Sequence, residues 1–158
     1  MGVDRPLRIA VCGAGRADAV ECALAEEVGR RLAEAGAVLI CGGLGGVMEA
    51  AARGAVSVGG LTIGLLPGER AEEANPYIRV PLPTGLGEAR NVLVVRSADA
   101  LIAVGGEWGT LSEVAFARKV GVPVVALHPT LAAPLPLERA ETPQEAVRRA
   151  LAHARARR

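Results

Sequence analysis

Lysine is almost absent from this chain: seventeen of the eighteen basic residues are arginine, and the single lysine is Lys119. An enzyme that uses pyridoxal phosphate needs a lysine for its Schiff base, so only Lys119 could serve. A Walker A loop ends in Gly-Lys-Ser or Gly-Lys-Thr, and the sequence contains neither tripeptide. The composition therefore disfavours pyridoxal phosphate chemistry and phosphoryl transfer of the P-loop type.

Aromatic residues are also scarce, since Tyr77, Trp108 and Phe116 together make up 2% of the chain. So few rings provide no stacking platform for single-stranded nucleic acid. The formal net charge is +1, without the basic excess that binding to a phosphate backbone requires. We therefore expect no nucleic-acid partner.

Long apolar runs are missing as well: none reaches about 18 residues, the length typical of a membrane-spanning helix. The first residues lack the apolar stretch of a signal peptide, so we expect a cytoplasmic protein with no membrane partner. The three cysteines, Cys12, Cys22 and Cys41, form no CxxC pair. With two distant histidines they provide too few ligands for structural zinc, which predicts buried, reduced thiols and no metal site.

Short apolar runs alternate along the chain with longer segments of helical periodicity. The predicted strands cover residues 7–12, 38–41, 61–66, 77–80, 101–104 and 122–127. The predicted helices cover residues 18–35, 47–56, 87–97 and 111–120, and a last helix starts at Thr142 with a capping box to Glu145. A proline-rich crossing over residues 129–136 precedes that last helix. The length of 158 residues fits one domain, 1–158.

Continuously apolar strands are typical of a sheet that is buried on both faces. Their alternation with helices indicates parallel strands with helices on both sides. The sequence therefore predicts an α/β fold, a Rossmann-like doubly wound parallel sheet in a single domain.

Glycine-rich loops follow three of the predicted strands. One such loop is most simply a tight turn, but three at the carboxyl edge of a parallel sheet lie where ligands bind. Each loop precedes a helix, whose N-terminal N–H groups attract phosphate. The sequence thus predicts a phosphate- or nucleotide-binding cleft formed by Gly13, Gly15, Gly42, Gly43, Gly45, Gly46, Gly105, Gly106, Gly109 and Thr110.

The first loop is not a complete dinucleotide fingerprint. Asp18 occupies the position of the third glycine, and Cys41 ends the next strand where an acidic residue would bind the ribose. This pattern disfavours a conventional NAD site.

Thr110, Glu113 and Arg90 each allow two interpretations. The spacing of Thr110 and Glu113 favours a capping box at the start of a helix. The alternative places Glu113 in the cleft as an acid, a base or a cation stabiliser, with Thr110 in contact with a phosphate. Arg90 could be a solvated surface residue, or it could reach the carboxyl edge of the sheet and bind a phosphate through both guanidinium nitrogens.

Three segments carry a resemblance to a known family: Gly-Gly-Leu-Gly-Gly-Val-Met-Glu at residues 42–49, Thr-Gly-Leu-Gly-Glu-Ala-Arg-Asn at 84–91, and Gly-Gly-Glu-Trp-Gly-Thr-Leu-Ser-Glu at 105–113. They resemble the GGxxGLM, Arg-Lys and PGGxGTxxE motifs of the LONELY GUY or "lysine decarboxylase-like" Rossmann family. The nearest branch is that of the molybdenum cofactor carrier proteins. The resemblance covers residues 8 to about 127.

The resemblance implies a role for specific residues. In the hydrolase members, the motif arginine and glutamate are catalytic, and they correspond to Arg90 and Glu113. The glycine-rich loop with Gly109 and Thr110 corresponds to the segment that holds the phosphate of a nucleoside 5′-monophosphate. The resemblance also implies a homodimer or tetramer. It does not imply a lysine decarboxylase, because that label is a misnomer in the characterised hydrolases.

The chain departs from the family motifs at three positions. Gly105 replaces the motif proline, Glu107 replaces the second glycine, and Asn91 replaces the lysine that follows the arginine. The last two changes remove one positive charge and add one negative charge. They favour a binding or carrier protein for a phosphorylated, nucleotide-like ligand, such as a nucleoside monophosphate or a molybdopterin. The alternative is an enzyme, a phosphoribohydrolase that cleaves the N-glycosidic bond of a nucleoside 5′-monophosphate.

Overall fold

The computed structural model describes residues 2–129 and 136–158, and their seven strands form one sheet. The strand order is β4-β3-β2-β1-β5-β6-β7, and every neighbouring pair is parallel. The strands are β1 (Arg8–Gly13), β2 (Val38–Cys41), β3 (Thr62–Leu66), β4 (Val80–Pro83), β5 (Ala100–Val104), β6 (Val124–Leu127) and β7 (Glu138–Ala140). The predicted doubly wound, Rossmann-like α/β sheet is confirmed.

Five α-helices cover the two faces of this sheet. They are α1 (Ala19–Glu34), α2 (Val47–Ser57), α3 (Arg90–Ser97), α4 (Trp108–Val120) and α5 (Pro143–Ala156), with short 3-10 turns at Ala71–Glu73 and Gly87–Ala89. One face buries residues of α1, α2 and α5 in a common core. The other face buries residues of α3 and α4. The central strand β1 is therefore covered on both sides, as its continuously apolar sequence predicts.

The order of the strands reverses at β1. From β1 the chain proceeds outward to β2, β3 and β4, and it then returns to place β5 on the other side of β1. The register pairs Gly13 at the end of β1 with Val104 at the end of β5. In open α/β sheets, ligands bind outside the carboxyl ends of the strands at such a switch point. A ligand is therefore expected to bind at the loops that follow β1 and β5.

Side-chain caps fix the start of α1 and of α5. Asp18 Oδ1 accepts a hydrogen bond from the N–H of Glu21 at 2.8 Å, and Glu21 Oε2 accepts one from the N–H of Asp18 at 3.3 Å. Thr142 Oγ1 accepts from the N–H of Glu145 at 3.1 Å. The Glu145 carboxylate accepts from the N–H of Glu141 at 2.9 Å instead of that of Thr142. The capping box predicted at α5 is thus only half formed.

The structure corrects two predictions at the edges of the sheet. The strand expected at 77–80 lies at Val80–Pro83, so its prolines are inside the strand and do not end it. They are tolerated because β4 is an edge strand that pairs with β3 alone. The strand β7 was not expected, because its three residues, Glu-Arg-Ala, show no apolar alternation. Within the predicted crossing at 129–136, residues 130–135 lie outside the described residues.

Membrane-spanning helices were not expected, and within the described ranges none of the helices has the length and apolar character needed to cross a bilayer.

Candidate functional site

A cavity of about 560 Å³ opens at the carboxyl edge of the sheet, beside the switch point. This volume lies in the range of sites that bind small molecules. The loops after β1, β2 and β5 contribute to its wall, together with the start of α3 and the first two turns of α4. The cleft is lined by Val11, Cys12, Gly13, Gly15, Gly42, Leu44, Met48, Pro67, Glu88, Arg90, Asn91, Glu107, Trp108, Gly109, Thr110, Ser112 and Glu113.

The fold brings seven of the twelve residues predicted for the site into this lining: Gly13, Gly15, Gly42, Arg90, Gly109, Thr110 and Glu113. Five others belong to the same loops but lie outside the cleft lining that the described residues form: Gly43, Gly45, Gly46, Gly105 and Gly106. The three loops therefore meet at one place, although only part of each loop faces the cavity.

Gly46 lies outside the lining of the cleft but allows two of its loops to come into close contact. Its backbone has a φ of 65°, and a Cβ atom there would collide with the carbonyl oxygen of Ala14. The next residue, Val47, donates its N–H to that same oxygen at 3.0 Å. Gly46 thus allows the loop after β2 to rest against the loop after β1, and this contact joins two walls of the cleft.

The helix α4 begins three residues earlier than predicted. Glu107, with extended backbone at φ −131°, takes the N-cap position, and the first helical residue is Trp108. The capping box of Thr110 and Glu113 is therefore wrong, since both residues lie inside the helix. They are one turn apart and both line the cleft, because residues three positions apart share a helix face.

The start of α4 lies in the wall of the cleft and contains backbone donors without helical acceptors. The N–H of Leu111 bonds to the carbonyl oxygen of Glu107 at 2.9 Å, and it is the first N–H with a helical acceptor. The preceding N–H groups, at Trp108, Gly109 and Thr110, have no acceptor within the helix. All three residues line the cleft. Such donors at a helix N-terminus attract anions.

Glu113 is partly buried in the wall of the cleft, between Cys12 and Arg90. Burial raises the pKa of Glu113 to about 7, because desolvation outweighs the opposing influence of the Arg90 charge and of a hydrogen bond with the Cys12 thiol. Burial likewise raises the pKa of Cys12, and the negative charge of Glu113 adds to this effect. Glu113 can therefore exchange a proton near neutral pH, which is common at functional sites.

Arg90 is buried at 7% exposure, so its interpretation as a solvated surface residue is wrong. Its Nε donates to the carbonyl oxygen of Leu65 at 2.8 Å, and its Nη2 donates to that of Gly42 at 3.4 Å. Its Nη1 donates to Oδ1 of Asn91. Burial lowers the pKa of Arg90, while the charge of Glu113 opposes this effect. Protein acceptors thus bind all three guanidinium nitrogens.

Thr110 has a buried side chain without a partner. It is 3% exposed and lines the cleft, and its hydroxyl makes no hydrogen bond with the described residues. Among the described residues no buried side-chain nitrogen or oxygen lacks a hydrogen-bond partner, so the oxygen of this hydroxyl is reached by solvent from the cleft. The hydroxyl of Thr110 is therefore available to a molecule in the cleft.

Carboxylates outnumber cations in the lining of the cleft. Glu88, Glu107 and Glu113 line the cleft together with Arg90, which is the one basic residue among the described lining residues. The thiol of Cys12, the carboxylate of Glu88 and the indole of Trp108 were not predicted to line this site. The strand prediction contained the signal for Cys12, because a residue at the end of β1 lies at the edge where the cleft opens.

Comparison with known proteins agrees with this architecture. The model of the SLOG cluster4 family matches residues 6–155. The chain belongs to the SLOG cluster4 family. A relative from Archaeoglobus fulgidus, an uncharacterized protein, is 47% identical over 144 residues, which cover 89% of this chain and 92% of the relative.

Solved structures similar to this SLOG cluster4 protein include two that are described by the cofactor they bind or carry. The molybdenum cofactor binding protein from Rippkaea orientalis has a TM-score of 0.88 and 34% identity, over 95% of this chain and 98% of that chain. The molybdenum cofactor carrier protein from Chlamydomonas reinhardtii has a TM-score of 0.84 and 35% identity, over 98% and 100%. The resemblance to the carrier branch is confirmed, whereas membership of the LONELY GUY family itself stays a prediction.

Proposed function

We propose that this protein binds and carries a phosphorylated, nucleotide-like ligand of the molybdenum cofactor class without chemically changing it. The observation that supports the proposal best is the cleft at the switch point, in which backbone donors of α4 and the unpartnered hydroxyl of Thr110 converge. The similarity to molybdenum cofactor carrier and binding proteins extends over at least 94% of the chain in each of four solved structures.

The phosphate of the ligand would bind at the start of α4. The N–H groups of Trp108, Gly109 and Thr110 have no helical acceptor, and the hydroxyl of Thr110 lies beside them. Phosphate oxygens accept several hydrogen bonds at once, so they match this set of donors. The loops with Gly13, Gly15 and Gly42 would contact the remainder of the ligand, because they form the opposite wall of the cleft.

A binding assay tests the carrier proposal directly. The purified chain is mixed with molybdenum cofactor, with adenosine 5′-monophosphate or with guanosine 5′-monophosphate, and free ligand is then removed by rapid gel filtration. We expect at least one of them to co-elute with the protein at a fixed stoichiometry and to be recovered intact. If none of the three ligands co-eluted with the protein, the result would contradict the proposal.

A phosphoribohydrolase is the second candidate, and the position of Glu113 favours it. Its carboxylate lies in the cleft near Arg90, and burial raises its pKa to about 7. As an anion it would stabilise an oxocarbenium-like sugar or orient a water molecule, and Arg90 would organise the loops around the phosphate-ribose. Against this candidate, Asn91 and Glu107 reduce the positive charge available for a phosphorylated transition state.

Base release distinguishes the two candidates. Each nucleoside monophosphate is incubated with the protein, and the free base is measured by chromatography. A carrier releases none, even when it binds the nucleotide. A hydrolase releases base, and Glu113→Gln then abolishes release while binding remains, because the carboxylate charge acts mainly as positive charge develops on the sugar.

We also propose that two copies of the chain associate through the outer face of α3. Val92 and Leu93 are adjacent on this short helix and are 41% and 37% exposed. Leu82 and Leu86 precede it and are 43% and 53% exposed. Contiguous exposed apolar residues are typical of protein–protein contacts, and a two-fold axis lets one such patch cover its own copy.

A further inference from the structure

The only tryptophan of the chain lies in the wall of the cleft and is largely uncovered. Trp108 lines the cavity, and its side chain belongs to a residue that is 84% exposed. Tryptophan is highly buried on average, because its ring has a large apolar area. The indole of Trp108 therefore offers an uncovered apolar face to a molecule in the cleft.

The other two aromatic rings of the chain already have partners. The guanidinium of Arg53 lies 5.8 Å from the ring centroid of Tyr77, and that of Arg96 lies 5.5 Å from the ring centroid of Phe116. Within residues 2–129 and 136–158, no guanidinium and no second ring lies against the indole of Trp108. The packing of the described chain thus uses Tyr77 and Phe116 but leaves the ring of Trp108 without such a contact.

The place of Trp108 in its helix brings the indole close to the expected phosphate. Trp108 is the first residue of α4. Side chains of a helix tilt toward its N-terminus, so the indole extends beyond the start of α4, on the side where a phosphate would bind. In a nucleotide the base is separated from the phosphate by one ribose. One ligand can therefore contact the backbone donors with its phosphate and the indole with its base.

The cleft also presents apolar atoms from elements other than α4. Leu44 lines it from the loop after β2, Met48 from α2, and Pro67 from the segment after β3. A heterocycle that enters the cleft would meet these side chains as well as the indole. Small-molecule sites commonly combine such an apolar wall with a few polar groups that fix the orientation of the ligand.

We propose that the indole of Trp108 stacks on the flat heterocycle of the ligand, so that the cleft selects phosphorylated compounds that carry a fused ring of the purine or pterin type. This inference rests on the proposed function. Every such ring has a π-face, so stacking selects for a ring without identifying it. A single indole provides no platform for a polynucleotide, but it is sufficient for one mononucleotide.

The fluorescence of the parent chain tests this inference, because all tryptophan emission comes from Trp108. The full chain is titrated with guanosine 5′-monophosphate and, separately, with ribose 5-phosphate, which has the sugar and the phosphate but no base. We expect the nucleotide to quench the emission and the quenching to saturate with the binding isotherm that calorimetry measures. Ribose 5-phosphate should not quench it. Free N-acetyltryptophanamide corrects for light absorbed by the nucleotide.

Variants of Trp108 separate stacking from general apolar contact. Trp108→Leu keeps an apolar side chain and removes the flat ring, and it should lower the affinity for guanosine 5′-monophosphate roughly five- to hundredfold, the range for stacking one base on an aromatic side chain. Its affinity for ribose 5-phosphate should stay close to that of the parent. Trp108→Phe keeps a ring and should retain most of the affinity for the nucleotide. Val20→Ala alters an exposed apolar residue outside the cleft and should bind both compounds as the parent does.

The outcomes distinguish this inference from the carrier proposal. If the nucleotide bound without quenching and Trp108→Leu bound it equally well, the inference would be overturned and the carrier proposal would remain. An equal loss of affinity for both compounds in Trp108→Leu would also overturn the inference, because the residue would then support the phosphate site. Emission that changed on dilution of the free protein, but not with nucleotide, would assign Trp108 to a contact between copies instead. If the nucleotide did not bind at all, both proposals would be contradicted for this nucleotide.

Discussion

The guanidinium of Arg90 lies against Gly42 so closely that a Cβ atom at residue 42 would be 2.6 Å from Nη2. The same nitrogen donates to the carbonyl oxygen of Gly42 at 3.4 Å. Arg90 therefore acts on the cleft through the loop backbone as well as through its charge. A glycine after β2 is required at this position because the buried arginine occupies the space that a side chain would need.

Gly42→Ala should displace Arg90 and weaken ligand binding. The added methyl group would also meet Sδ of Met48 at 2.8 Å, but the flexible methionine side chain can move, whereas Arg90 is fixed by three acceptors. We expect a loss of about 1–3 kcal/mol in the free energy of unfolding, the scale for overpacking a buried site. Thermal unfolding and nucleotide titration measure the two effects.

Gly15→Ala is the matched control for the change in stability. A Cβ atom at residue 15 meets no atom within 4 Å, so the melting temperature of this variant should stay close to that of the parent. If Gly42→Ala were as stable as Gly15→Ala, the close contact between residue 42 and Arg90 would not be a constraint on the folded protein.

Glu113→Gln should make the protein more stable at pH 8 than the parent. Burial raises the pKa of Glu113 from 4.5 to about 7, so the folded state holds this proton more tightly than the unfolded chain does. The parent therefore loses stability as the pH rises from about 4.5 to about 7, and the loss is complete above that range. Its upper bound is about 3 kcal/mol, since one pKa unit corresponds to about 1.4 kcal/mol.

Denaturant titrations at pH 4.5 and at pH 8 measure this effect. The glutamine variant cannot ionise, so its advantage over the parent should be small at pH 4.5 and larger at pH 8. Glu72→Gln, which removes an exposed carboxylate, is the control for a general change in net charge. A constant difference between Glu113→Gln and the parent at both pH values would contradict the raised pKa.

Leu93→Glu should convert the proposed dimer into monomers. The leucine lies on the outer face of α3 beside Val92, and it is 37% exposed in the single chain. A carboxylate buried in an apolar contact without a partner is strongly unfavourable. Val20→Glu alters an apolar residue on α1 that is 55% exposed, and it should leave the association unchanged. Sedimentation at micromolar concentration measures the oligomeric state of the parent and of both variants. A parent that is strictly monomeric would contradict the proposed association.

The strands were predictable because a strand that is buried on both faces of the sheet has a continuously apolar sequence. The strand at 38–41 was predicted with its observed bounds. The three glycine-rich loops were predictable as one cleft because parallel strands bring their carboxyl ends to one edge.

The interior of the site was less predictable, because it depends on contacts between segments distant in sequence. Spacing favoured Thr110 and Glu113 as a capping box, but the backbone turns at Gly105, with φ 65°, and α4 begins at Trp108. The acceptors of Arg90 are the carbonyl oxygens of Gly42, in the loop after β2, and of Leu65, in β3, which lie 48 and 25 positions away in sequence. The spacing of residues within one segment does not predict such contacts between distant segments.

Thr110→Val should separate a binding role of the hydroxyl from a structural one. Valine retains the shape of threonine and removes a hydroxyl that no described residue pairs with and that is open to the cleft. Loss of an unpaired polar group does not destabilise, so the free energy of unfolding should stay within about 1 kcal/mol of the parent or rise. Affinity for a phosphorylated ligand should fall roughly ten- to hundredfold, since a hydrogen bond to a charged group contributes about 1.5–3 kcal/mol.

Thr110→Ser is the matched control, because it keeps the hydroxyl and loses only a methyl group. Its ligand affinity should remain close to that of the parent, although its stability should fall by about 1 kcal/mol for the lost buried methyl. Nucleotide titration and denaturant unfolding should therefore rank the two variants in opposite orders. The valine variant should be the more stable one, and the serine variant should bind the nucleotide more tightly. If the serine variant were also the more stable one, the hydroxyl of Thr110 would serve the fold. If the valine variant bound as tightly as the parent, the hydroxyl would not contact the ligand.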